Sequence, residues 1–198
     1  MHKKTLLIVL SFLWIFTMNA QGKKFSAALT YAFPLNEENF KDIYDGTAIS
    51  GDFAYEVISA GPLKFDLAAS VTFLEGDPFI LGTVSPFDKV RSTLIQPRIQ
   101  TRLDAGSLNR FHPVLGVGYT AQFVSYDIRL GFDDLGADTS ESYGGINVNF
   151  GLQYDFAKIL FVTIQYDYTR LFNDQNTMDF SRDLQHLGLL KTGIGLRL

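Results

Sequence analysis

The chain has 198 residues, a formal charge of −4 and no cysteine. Disulfides, thiol chemistry and lipid attachment through cysteine are therefore excluded, and the mildly acidic balance gives no electrostatic ground for nucleic-acid binding. It is 14% aromatic, with 18 Phe and 9 Tyr, but only 19% charged, a composition that suits a soluble β-sandwich or a membrane β-barrel.

The first element is not part of the fold. In MHKKTLLIVLSFLWIFTMNAQ, Lys3 and Lys4 precede an apolar run over 6–16 that only Ser11 interrupts, and small Ala20 is followed by Gln21. That order predicts a secretory signal cleaved between Ala20 and Gln21. The run is too short for a bilayer, which needs roughly 20 apolar residues. Residues 1–20 are thus read as a signal peptide and 21–198 as one domain. No later apolar run reaches 18 residues, so no transmembrane helix is expected.

Eight segments alternate with period 2, the pattern of strands with one apolar face. They cover 24–33, 47–58, 63–74, 92–104, 113–126, 143–156, 159–172 and 184–198. Typical apolar faces are Phe25/Ala27/Leu29/Tyr31/Phe33, Leu115/Val117/Tyr119/Ala121/Phe123 and Leu160/Val162/Ile164/Tyr166/Tyr168. The connections alternate as well: PLNEENFKDIYDG is long and SAGP short, EGDPFILGTVSPFDKVR long and AGSLNRFH intermediate, DIRLGFDDLGADTSES long, almost nothing around Ala157 and Lys158, then NDQNTMDFSRD long. This describes an up-and-down meander with its long loops at one end, as in transmembrane barrels. Pro97 falls inside the fourth strand and predicts a bulge there, while His112 falls in a short connection.

The opposite faces decide between a soluble and a membrane barrel. A soluble barrel turns a surface of Lys and Glu to water. Here that face is mostly Gly, Ala, Ser, Thr, Asn and Gln, which suits the cramped interior of an eight-stranded barrel. Scattered through it are the acids Asp52, Glu56, Asp66, Asp104, Asp155 and Asp167 and the bases Lys64, Arg98, Arg102, Lys191 and Arg197, a candidate lumen charge network. Aromatics gather at both ends of the apolar faces. Phe33, Phe73, Phe123, Tyr166 and Tyr168 lie toward the long loops, and Phe25, Tyr55, Tyr154 and Phe156 toward the short turns. Two such belts match the two interfaces of a bilayer. The expected fold class is all-β, an eight-stranded antiparallel up-and-down transmembrane β-barrel.

A signal ending in NAQ, eight alternating strands and a last strand GLLKTGIGLRL resemble the small outer-membrane β-barrel family, the class of OmpX-like proteins and the OmpA transmembrane domain. The resemblance covers essentially all of 21–198. It implies a bacterial outer-membrane location, a lipid bilayer as partner, a monomer, and recognition of the C-terminal strand by the barrel assembly machinery. That family commonly ends in an aromatic residue; Leu198 stands here.

The function expected is structural, adhesive or surface-recognising through the long loops, with a filled lumen and no cofactor or metal. One alternative is a lipid-modifying outer-membrane enzyme, with His186 at the rim and Ser181 and Asp183 close in sequence. Another is a soluble periplasmic barrel holding a lipid. The acidic loop with Asp133, Asp134, Asp138 and Glu141 offers oxygen ligands for Ca²⁺, but without the ordered spacing of an EF-hand it reads as a solvated loop.

Overall fold

The computed structural model describes residues 24–35, 48–76, 87–104, 110–128, 138–172 and 186–198. The segment with Ala20 and Gln21 lies outside the described residues, as do Asp133, Asp134, Ser181 and Asp183. Eight strands follow in order: β1 (Phe25–Pro34), β2 (Ala48–Ala60), β3 (Leu63–Gly76), β4 (Phe87–Leu103), β5 (Phe111–Ile128), β6 (Asp138–Asp155), β7 (Leu160–Phe172) and β8 (His186–Arg197). Each pairs antiparallel with its sequence neighbour, and β8 closes on β1. The alternation therefore builds the closed up-and-down barrel that the sequence predicts. Closure leaves the sheet with no free edge along the shared length of its strands.

Two hairpins explain the short end. Between β2 and β3 the chain reverses at Gly61–Pro62, where Gly61 takes a φ of 61° that a side chain would resist. Between β6 and β7 it reverses over 156–159, with the Ala157 amide donating to the Leu160 carbonyl at 3.3 Å. Pairing with β3 shifts between Glu56 and Ile58. Strict alternation is lost there, and neighbouring Val57 and Ile58 are both exposed.

Three expectations are corrected. The first concerns Pro97, which makes no bulge: Ile95 pairs with Ala121 and Arg98 with Gly118 in one register, and on the other side Pro97 stays opposite Ala69. Between Lys89 and Arg102 the β4–β5 ladder omits only Gln96 and Pro97, since one missing N–H costs a bond without displacing the strand; the register shift of this pair lies far from Pro97, between Phe87 and Lys89. The second is that β4 begins at Phe87 instead of 92 and β6 at Asp138 instead of 143, so Asp138 and Glu141 belong to a strand and not to a loop. The β5–β6 pair extends to Asp127 opposite Asp138, and the β6–β7 pairs among the described residues run to Gly144 opposite Phe172. The third is that His112 sits in β5 opposite Gln153, inside the barrel, and not in a connection.

Candidate functional site

Inward and outward positions separate by chemistry. Among the described residues, the outward positions within 25–33, 49–55, 63–73, 93–103, 111–123, 144–154, 160–168 and 190–198 carry no charged side chain. Leu29, Leu67, Ile99, Leu115, Val117, Ile164 and Ile194 are exposed across this band. All nine aromatics expected in belts lie on the outward face. Phe25 is the direct partner of Tyr55 at the short-turn end, where the rings of Phe111 and Tyr154 also stand 4.7 Å apart. Phe73 pairs with Ile49 toward the long connections, and Phe123 and Phe33 are exposed near that level. Phe156 is exposed in the β6–β7 turn, and Tyr166 packs on Phe150 with ring centroids 5.4 Å apart.

Charges stand only beyond the band. On the long-connection side, Glu75 faces Lys89 at 3.1 Å and Arg91 at 3.7 Å, and Arg170 is the direct partner of His186. On the short-turn side, Lys24, Arg110 and Lys158 are exposed.

Inside, every one of the eleven residues expected in the lumen network points inward, and they fall into two layers. In the central layer Lys191, fully buried, approaches Asp167 at 2.6 Å and Asp52 at 3.9 Å. Arg98 approaches the same two carboxylates at 3.5 and 3.2 Å. Two bases thus share two acids, and polar neighbours add hydrogen bonds: Lys191 Nζ donates to Ser70 Oγ at 2.7 Å, Thr30 Oγ1 to Asp52 at 3.0 Å and Arg98 Nη2 to Gln165 at 3.4 Å. Charges this deep are tolerated because each has its counter-charge.

The second layer lies toward the short turns. Arg102 stands between Glu56 at 3.1 Å, Asp66 at 3.4 Å and Asp104 at 3.4 Å, and Lys64 reaches Glu56 at 3.7 Å. Arg197 closes on Asp155 at 2.6 Å, donates to Gln153 at 2.6 Å and lies over the Phe161 ring at 4.9 Å. His112 joins this layer, with Nδ1 2.7 Å from Asp104 and Nε2 3.1 Å from Asp155. The sequence signal that would have found it is parity: His112 lies two residues before inward Val114.

Above the charges the interior is largely apolar, around one buried hydrogen bond from Gln122 to Ser92 at 2.8 Å. Ala32, Ala48, Leu74, Val90, Leu94, Val124, Leu187 and Leu189 form one buried cluster toward the long connections, with Tyr143 packed against it. Small residues make the rest of the lumen possible. Gly118 faces Arg98 and Gly195 faces Phe161 across their strand pairs; a Cβ on Gly195 would run into the Phe161 ring. Among the described residues the interior is thus filled by paired charges, amides and a largely apolar plug.

His186 is not inside. It is exposed on the outer face, its ring stacked on Tyr168 at 5.9 Å and 22°, with Nδ1 2.6 Å from the Tyr168 hydroxyl. Among the described residues no group of three or more His, Asp or Glu is placed to hold a metal ion.

No family model and no curated protein matches the sequence. The fold does have solved counterparts. A major outer membrane protein from Thermus thermophilus superposes with a TM-score of 0.64 at 14% identity, over 88% of this chain and 99% of that one. Neisserial surface protein A gives 0.57 at 16% identity, over 89% and 98%. Ail, the attachment invasion locus protein of Yersinia pestis, gives 0.55 at 13% identity, over 88% and 97%. At these identities the likeness establishes a common architecture, that of the eight-stranded outer-membrane barrels.

Proposed function

We propose that the protein is an exported outer-membrane barrel that does not conduct and acts at the cell surface, recognising or adhering to a partner through the long connections at one end. The observation that carries this reading is the inverted distribution of polarity. An uncharged outer band suits acyl chains, while the paired charges at the height of that band are turned inward. A soluble lipid-binding barrel would reverse the two faces and keep an apolar cavity, so the same observation weighs against that alternative.

Supporting details agree. Residues 1–20 act as the export signal, cleaved between Ala20 and Gln21, and the β8 strand is what the barrel assembly machinery reads. Two of the fold's solved counterparts carry surface or attachment in their names, which favours a surface role. Because paired charges and the plug fill the described lumen, the activity lies in the long connections at one end. A lipid-modifying reaction at His186 has less support, since its described partner is Tyr168.

The test is direct. Outer membranes washed with carbonate retain the protein, it runs with a heat-dependent mobility shift on a gel, and it produces no conductance steps in planar bilayers. Exchanging residues 129–137 for a Gly–Ser linker abolishes attachment of cells to a surface that the parent strain binds, with the amount of barrel unchanged. Release into the soluble fraction sinks the membrane reading. Undiminished attachment sinks the surface role.

A further inference from the structure

We infer that the Asn147 side chain serves as the missing rung of the β4–β5 ladder, donating to the Tyr119 carbonyl in place of the N–H that Pro97 lacks and so holding the barrel wall closed at that height. Pro97 lies outward in the uncharged band, between exposed Ile95 and Ile99. The register sets it opposite Tyr119, because Ile95 pairs with Ala121 and Arg98 with Gly118. In an antiparallel ladder, losing one N–H···O bond between directly opposite residues removes that pair and one neighbouring pair. Gln96 and Pro97 are the two residues between Lys89 and Arg102 that have no partner on β5. The gap is therefore one bond wide, and the group it strips of a donor is the Tyr119 carbonyl. An unpaired carbonyl in the wall is costly where no water reaches it.

The lumen supplies the replacement. Asn147 on β6 points inward and is buried, and its Nδ2 donates to the Tyr119 carbonyl at 3.0 Å. It stands opposite Gly118, whose missing side chain leaves the amide room to lean across β5 toward β4. The second N–H of the same nitrogen goes to Thr120 Oγ1 at 2.9 Å, and Gln96 Nε2 donates to that hydroxyl at 3.1 Å. Gln96 and Thr120, whose backbone pairing is lost, are thus rejoined through their side chains. Chemistry fixes the orientation of the amide: a carbonyl only accepts, so the nitrogen must face it. Asn147 Oδ1 has no hydrogen-bond partner among the described residues, so the bonding of this side chain is committed to the gap. The contact is independent of what the long connections recognise.

The experiment uses the full chain, isotopically labelled and folded in detergent micelles. NMR is expected to show a scalar coupling through the hydrogen bond, between Asn147 Nδ2 and the Tyr119 carbonyl carbon. The coupling disappears in Pro97→Val, where the restored backbone amide takes the carbonyl instead. Asn147→Leu keeps the size and removes the donors. Beside Pro97 it lowers the urea midpoint by on the order of 1 M, and in the Pro97→Val background by about half as much or less. Asn149→Leu, at the next inward position of β6, gives the same shift in both backgrounds, because Asn149 donates to Gln165. A parent chain without the coupling overturns the rung. So does an Asn147→Leu shift of equal size in the two backgrounds. Should Asn147→Leu yield no heat-modifiable barrel beside Pro97, recovery in the Pro97→Val background supports the rung and continued failure there overturns it.

Discussion

The Nδ1 atom of His112 lies 2.7 Å from Oδ1 of Asp104, while its Nε2 faces Asp155 at 3.1 Å. Six lumen acids, namely Asp52, Glu56, Asp66, Asp104, Asp155 and Asp167, stand against the five bases Lys64, Arg98, Arg102, Lys191 and Arg197. His112 is the sixth partner, placed where two carboxylates would otherwise face each other. Both carboxylates are partly exposed, so solvent screens part of the interaction. His112→Leu should cost about 1–3 kcal/mol, below the range for a fully buried pair. Urea unfolding in detergent micelles measures it, and Asp104→Asn in the same chain should return part of the loss. A loss identical with and without Asp104→Asn would mean that His112 acts by packing alone.

The central layer should be less forgiving. Lys191 is wholly buried between Asp167 and Asp52, and Lys191→Met leaves two acids with Arg98 alone. Breaking such a pair costs about 3–5 kcal/mol, whereas replacing both partners by apolar groups is often neutral. Lys191→Met therefore collapses the yield of heat-modifiable barrel, and Lys191→Met with Asp167→Leu restores most of it. A double variant as unstable as the single one would refute a charge-pair role.

How much of this was legible follows from what period 2 can report. Alternation marks which face is apolar only where the other face is polar, so it located the outer band and the central charges well. It failed at the rim, where Leu74, Val90, Leu94 and Val124 point inward while Glu75, Arg91 and Ser125 point outward, reversing the polarity of the two faces. The plug was missed for that reason, and β4 and β6 were started several residues late. His112 was missed because Pro113 read as the beginning of a strand, although a proline fits the first positions of a ladder. Which acid meets which base depends on the barrel's stagger, which only closure sets.

Two glycines on β5 separate kinds of crowding. A Cβ on Gly118 would stand 2.6 Å from Arg98 Cβ and 2.8 Å from Arg98 Cα, with the Pro97 carbonyl nearer still. At Gly116 the nearest atom is the amide end of Asn149, which can rotate, and Gln100 Cβ follows at 3.1 Å. Gly118→Ala should therefore cost about 1–3 kcal/mol, the usual penalty of overpacking, and Gly116→Ala clearly less. Denaturant midpoints of the two variants compare them directly, and equal losses would contradict the backbone clash at Pro97.

The last prediction tests which way the apolar face points. Ile164 is outward and half exposed, between Leu152 and Thr192 at mid-height; Phe172 is outward too, beyond Arg170 at the long-connection rim. In a bilayer an arginine at the midplane costs about 2–4 kcal/mol, falling to about 0–1 near the interface. Ile164→Arg should therefore cut insertion into phosphatidylcholine vesicles sharply, while Phe172→Arg leaves it nearly unchanged. Water on the outer face would remove the difference, because an exposed arginine at either height would then be solvated. Insertion measured by protease protection distinguishes the two, and equal tolerance at 164 and 172 would place the apolar band outside any membrane.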